Sequence, residues 1–386
     1  MSNSFFYFVL LLFISNSGFA QHTDFAFEDL PVNSGFTKSE VNEMLQASDG
    51  FIWIASWDGL WRFDGYQAKQ YELGIEEGCS LKGSEVMCLY EDSQKRLWIG
   101  SNYTGFYLYD RTEDCFRQFL VNPQQGSDTK GNNILSICED ESGLLWLGTD
   151  AGLKCFDPQK NTYLSFAKPP VNPAIPIERF FTITKSSDGI LWTAGEDGLY
   201  RLVKRGEGQL DTFVRYNLTP KESTIDFSLE HNFIPSITPS NLFPNRLWGA
   251  TKMGLKKISY DQFDLNEINT EYFTANDQTS GYQLSNNSLN DIIEDPIRKG
   301  LWIATNEGLN LMEFQSGIIH QFFHDERNSR TISNNVVNSL FLDSVDYLWV
   351  NTDRGTDRIN LINESIARES NKQDVQQIDV ISCFDN

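Results

Sequence analysis

The side chains in this sequence that could recognise or transform another molecule recur at one kind of place, just after an L-W-I-G-T-like phrase and just before a glycine. They are Trp57 and Asp58 before Gly59, Asn102 and Tyr103 before Gly105, Asp150 before Gly152, and Glu196 and Asp197 before Gly198. The series continues with Lys252 before Gly254, Asn306 and Glu307 before Gly308, and Asp353 and Arg354 before Gly355. Aromatic faces can stack a flat apolar surface, and carboxylates and amides can accept hydroxyl hydrogens, so the set fits recognition rather than bond making. The competing reading is that these are turn residues, polar because turns are wet. Trp57 stands outside the repeat phase of the other tryptophans, as a platform for a ligand or a cover for a sheet edge, whereas Trp61 reads as core.

Residues with catalytic or metal-binding chemistry form no comparable pattern. Of the four histidines (His22, His231, His320, His324), only His320 and His324 are close in sequence, in GIIHQFFHDE. That run reads as a strand, where a separation of four residues puts them about 13 Å apart, too far to share a metal ion. Cys79, Cys88, Cys115, Cys138, Cys155 and Cys383 are irregularly spaced with no C-x-x-C pair, which argues against structural zinc while permitting disulfides. Cys88, Cys138 and Cys383 fall in apolar runs, as small buried hydrophobes do. A glycosidase needs two carboxylates at a set separation, but with 53 acidic residues such a pair arises from composition alone. No phosphate-binding G-x-x-x-x-G-K-[ST] loop is present. The expectation is therefore no catalytic residue, no metal and no cofactor.

These groups must be carried by something, and the tryptophans show what. Trp53, Trp98, Trp146, Trp192, Trp248, Trp302 and Trp349 are spaced by 45, 48, 46, 56, 54 and 47 residues, each inside the same phrase, as in SGLLWLGTDAGLKCFD or KGLWIATNEGLNLM. A forerunner strand precedes each unit, such as VMCLYED, ILSICED, LNDIIED or VNSLFLD, ending in Asp92, Asp140, Asp295 or Asp343. An Asp that accepts from the following backbone, with a turn glycine such as Gly143, makes a tight hairpin into the tryptophan strand. A glycine then turns that strand into a third, and an aromatic run (CFRQFL, NTYLSF, GIIHQFF) supplies a fourth. Glycine is too frequent for a helical solenoid of similar period. Four short antiparallel strands per unit and seven units predict an all-β, seven-bladed β-propeller over 23–362, with the tryptophans wedged between sheets. The small residue after each tryptophan pair leaves room for the neighbouring sheet. DFAFEDL (Asp24–Leu30) reads as an outer strand that closes the ring by completing the seventh blade.

The ends and the charge bound the setting. Residues 1–20 read as a cleavable signal peptide, with an apolar stretch too short to span a bilayer; no later segment is a membrane span. Residues 363–386 end in ISCFDN, which matches the start of a further unit, so the chain reads as the front part of a longer protein. A net charge of -22 argues against binding nucleic acid or an anionic membrane, which need a cationic patch.

The repeated phrase, D, polar turn, G, x, L-W-I-G-T, x, x, G-L, x, R, F/Y, D, resembles the two-component regulator propeller repeats of periplasmic sensors in the hybrid histidine-kinase regulators of Bacteroidetes. The resemblance runs from about Thr23 to Asn386. It implies a periplasmic sensor of glycan fragments, with a second propeller or a homodimer as partner and a histidine kinase in a longer parent. By analogy of fold, an oligosaccharide or other small ligand would sit at the channel mouth, on the residues named at the outset. The alternatives are a secreted hydrolase or lyase on the same scaffold and a protein-interaction platform. SSDGILW (Ser186–Trp192) approaches the S-x-D-x-G-x-x-W box of sialidases but lacks the residue between Asp and Gly.

Overall fold

The computed structural model describes residues 26–29, 40–71, 80–82, 85–121, 131–166, 179–204, 211–220, 228–265, 268–275 and 283–362. The expected signal peptide and tail, with His22, Cys79 and Cys383, lie outside them. The chain forms seven four-stranded antiparallel sheets, each made of strands a to d from the channel outward. Blade 1 comprises Val41–Gln46, Ile52–Ser56, Gly59–Phe63 and Ala68–Tyr71; blade 2, Val86–Glu91, Leu97–Ser101, Phe106–Asp110 and Cys115–Phe119; blade 3, Ile134–Glu139, Leu145–Thr149, Gly152–Asp157 and Thr162–Leu164. Blade 4 comprises Phe180–Lys185, Leu191–Gly195, Leu199–Val203 and Thr212–Tyr216; blade 5, Ser236–Pro239, Arg246–Thr251, Gly254–Tyr260 and Ile268–Phe273; blade 6, Leu289–Asp295, Gly300–Thr305, Gly308–Glu313 and Ile319–Phe322. Blade 7 takes Val337–Leu342, Tyr347–Thr352 and Gly355–Asn360 from the end of the chain and Glu28–Asp29 from its beginning.

The closure is the one the sequence predicts. Glu28 and Asp29 pair antiparallel with Arg358 and Asp357. Phe27 is buried against Phe322 of blade 6, at 5.9 Å between ring centroids. On the channel side the ring is closed by Ser344, whose N–H donates to Gln46 Oε1 at 2.7 Å, and by Ser339, whose hydroxyl donates to the Val41 carbonyl at 3.4 Å.

All seven repeat tryptophans are buried, at 2% exposure or less, and they sit in the apolar layers between neighbouring blades. Trp61 is core as well. The small residue after the tryptophan pair does admit the neighbour: a Cβ on Gly100 would meet the Ile134 carbonyl of blade 3 at 3.0 Å, and one on Gly148 the Phe180 carbonyl of blade 4 at 2.6 Å. Gly249 follows Trp248 by one residue rather than two and meets only its own blade; the small residue in phase there is Ala250, fully buried. Cys88, Cys138 and Cys155 are buried free thiols, while Cys115 is disulfide-bonded. The short helix Ser228–Asn232, between blades 4 and 5, has no counterpart in the repeat pattern.

Candidate functional site

Strand a of blades 1, 2, 3, 4, 6 and 7 opens with a register shift against strand b that leaves one residue unpaired: Asn42, Met87, Leu135, Phe181, Asn290 and Asn338. A bulge re-aims its extra side chain, and here all six line the central channel, with Pro235 in blade 5. They surround a cavity of about 230 Å³ on the face that carries the b-to-c turns, floored by Glu43, Ser136, Thr182, Ser236, Asp291 and Ser339 among others. The sequence reading missed this ring. Its signal was the second residue of strand a, where one inserted position breaks the two-residue alternation.

Two carboxyls lie in the floor. Glu43 accepts the Leu89 N–H of blade 2 at 2.9 Å; burial pushes its carboxyl up to about 7, with the Asp291 charge adding to the rise. Asp291 is raised by burial, and three donors oppose the rise: Leu340 N of blade 7 at 2.9 Å, Ser236 Oγ of blade 5 at 2.8 Å and its neighbour Ile292 N at 2.8 Å. Both carboxyls hold adjacent inner strands together.

The predicted turn residues divide into two positions. The first turn residues of blades 5, 6 and 7 touch the bulge residues that line the cavity, and the others bond elsewhere on the same face. Lys252 reaches Asn290 Oδ1 at 2.9 Å and the Leu289 carbonyl at 3.3 Å, and burial lowers its ammonium pKa. Asn306 accepts from Asn290 at 2.9 Å, and Asp353 from Asn338 at 2.8 Å. Asp150 accepts the Gly131 N–H at 2.9 Å, and Asn102 donates to Glu85. Glu196 lies 4.0 Å from Arg179; burial raises its carboxyl and Arg179 opposes the rise. Trp57 is 45% exposed.

The second turn residues are spread more widely in role. Asp58 folds back to accept Ser56 Oγ at 2.7 Å and Trp61 Nε1 at 3.3 Å, and buried Asp197 accepts the Tyr200 hydroxyl at 2.7 Å. Glu307 accepts from Asn286 at 3.0 Å, and the Arg354 side chain is exposed. Tyr103 differs from all of these. The blade 2 turn is one residue longer than those of the other blades, and Tyr103 takes a left-handed backbone at φ 65° with its ring 55% exposed. His320 bonds Glu313 and His324 bonds the Ile332 carbonyl, so the two imidazoles do not converge.

Two stretches, residues 80–103 and 129–151, match the family described as two component regulator propeller. They cover strands a and b and part of the following turn in blades 2 and 3. The chain carries two-component regulator propeller repeats. The whole fold is similar to solved extracellular domains of two hybrid two-component systems from B. thetaiotaomicron. One match has 22% identity and a TM-score of 0.65 over 86% of this chain and 39% of that one. The other has 22% identity and a TM-score of 0.64 over 87% and 42%. It is also similar to virginiamycin B lyase from Staphylococcus aureus, at 14% identity and a TM-score of 0.59 over 87% of this chain and 98% of that one. At these identities the likeness is one of fold. This chain spans about two fifths of the length of the two-component system domains. No curated protein matches it in sequence.

Proposed function

We propose that this chain is the periplasmic ligand-sensing propeller of a two-component regulator, and that it binds glycan fragments at the channel mouth on the b-to-c turn face. The observation that carries this reading is the mouth itself. A ring of six bulged side chains frames a cavity of about 230 Å³, with exposed aromatic rings of Trp57 and Tyr103 on the same face. The regulator propeller repeats and the extracellular placement of the similar domains support the sensing role and the compartment. A second propeller or a second copy would be the partner, and a histidine kinase would belong to a longer parent. Calorimetry against a panel of oligosaccharides, with chromatography of the recovered ligand, tests the reading. Saturable binding with the ligand recovered intact is expected; new reducing or unsaturated ends would make the chain a hydrolase or lyase instead.

A further inference from the structure

The blades are near copies, so a polar group that is satisfied in one blade and orphaned at the same place in another marks where the ring departs from pure scaffold. In blades 6 and 7 the bulge residue is an asparagine that closes on the first turn residue of its own blade. Asn290 Nδ2 donates to Asn306 Oδ1 at 2.9 Å, and Asn338 Nδ2 donates to Asp353 Oδ1 at 2.8 Å. These asparagines are tied further: Asn290 also donates to the Val337 carbonyl at 2.8 Å and receives Lys252. In blade 1, Asn42 donates to the Val86 carbonyl at 2.7 Å. This half of the ring is closed on itself.

Blades 2, 3 and 4 carry Met87, Leu135 and Phe181 at that position, and none of these can donate a hydrogen bond. The consequence is visible one layer up. Asn102 Oδ1 in the blade 2 turn and Glu196 Oε2 in the blade 4 turn are buried with no hydrogen-bond partner, and Ser136 Oγ beside Leu135 is likewise unpartnered. Buried orphan acceptors are costly and rare, and each calls for a reason. The same sector is the apolar side of the mouth, where Phe181 packs on Phe233 at 4.9 Å between centroids. Its rim carries the inserted, outward-facing Tyr103.

We propose that blades 2 to 4 are the recognition sector. An uncharged sugar lays the apolar face of a ring on Met87, Leu135 and Phe181 and donates hydroxyl hydrogens to Asn102 Oδ1 and Glu196 Oε2, replacing the donor that Asn290 and Asn338 supply in blades 6 and 7. Acceptors select donors, and with Arg179 offsetting the charge of Glu196 it is the Asp150 carboxylate in the same sector that repels an anion, so neutral oligosaccharides bind in preference to uronic or sulfated ones. This rests on the reading that the mouth binds glycans and adds which blades bind and which charge class they accept.

The test is calorimetry of the full chain against neutral hexasaccharides of glucose, xylose and mannose, and against oligogalacturonate and heparin fragments. It is repeated with Phe181→Ala, Met87→Asn and Asn338→Ala. Phe181→Ala and Met87→Asn should each weaken neutral-sugar binding at least tenfold, on the order of one apolar-pocket or hydrogen-bonded contact, while Asn338→Ala stays within about threefold. Met87→Asn gives Asn102 the donor it lacks, so its melting temperature should match or exceed that of the parent, which separates lost recognition from lost folding. Equal losses in Asn338→Ala, unchanged binding in Met87→Asn, or preference for the acidic ligands would overturn the sector alone. No binding of any sugar by the parent would overturn this proposal and the glycan reading together.

Discussion

The aspartates that end strand a do two jobs with their two oxygens. In Asp343, Oδ1 accepts the N–H groups of Val345 at 3.0 Å and Tyr347 at 2.9 Å, while Oδ2 accepts the Trp349 indole N–H at 2.9 Å. Asp92, Asp140 and Asp295 do the same for Trp98, Trp146 and Trp302. Where the aspartate is missing, another group stands in: Ser186 for Trp192 and Glu294 for Trp248, both at 3.3 Å. Blade 1 has Ala47 there, and Trp53 Nε1 is buried without a partner. Ala47→Asp should therefore raise the stability of the protein by about 1 kcal/mol, the net worth of one hydrogen bond that also relieves an orphan donor. Urea unfolding of the two proteins measures it. Asp343→Ala should cost about 2 to 3 kcal/mol, because it strands a buried indole and two turn amides at once. The turn-forming job of the aspartate is legible in the sequence from its place before a polar turn. Its bond to the indole is not, because the partner lies six residues on across a hairpin.

At the scale of the element, the b-to-c turn shows why a glycine ends each copy and why the copies are not equivalent. A Cβ on Gly254 would lie 2.3 Å from the Phe273 carbonyl, and one on Gly105 2.2 Å from that of Phe119, because strand d of the same blade runs past the turn. Gly355 also has a left-handed backbone, yet nothing lies within 4 Å of its Cβ position. Gly254→Ala should destabilise by about 2 to 3 kcal/mol through strain and overpacking together, and Gly355→Ala by about 1 kcal/mol from backbone strain alone. Thermal melts of the pair check the ordering. Tyr103 is the opposite case, a bulky residue held left-handed, which costs about 1 kcal/mol. Tyr103→Gly should leave stability equal or slightly higher while oligosaccharide affinity falls several-fold, the pattern of a residue kept for contact rather than for folding. Calorimetry beside a melt on the same sample reads both.

At the scale of the molecule, stability depends on closing a ring, and the closure is carried by few groups. Phe27 and the Glu28–Asp29 strand cover blade 7. Phe27→Ala should cost about 3 kcal/mol, the usual loss for a buried phenylalanine, seen as an earlier unfolding midpoint. The channel adds a pH dependence. Burial holds the Glu43 carboxyl at about 7 against an ordinary value of 4.5, so the folded protein keeps a proton that the unfolded chain has already released. For such a group stability is greatest below the unfolded value and declines as pH rises from about 4.5 to about 7. The loss is on the order of 3 kcal/mol. Glu43→Gln should flatten urea midpoints across that window; an unchanged slope would count against Glu43 as the source.

The architecture can be read from the residue order alone. A phrase repeated seven times with a tryptophan in phase, turn glycines and a strand-ending aspartate can bury its indoles only by packing sheet against sheet. An outer strand at the front of the chain leaves only one way to close the ring. The residue order also puts Trp57 and the other turn residues on one face of the ring, because successive hairpin turns of a meander fall at alternating ends of the sheet. The division of that face emerges only once the ring is closed. Asn42, Met87, Leu135, Phe181, Asn290 and Asn338 are scattered over nearly 300 residues and look like ordinary strand positions. A one-residue bulge turns each of them toward the axis, and only the closed ring brings them to one rim. Which acceptors then find a donor and which do not depends on neighbours across blades, and no local pattern encodes that.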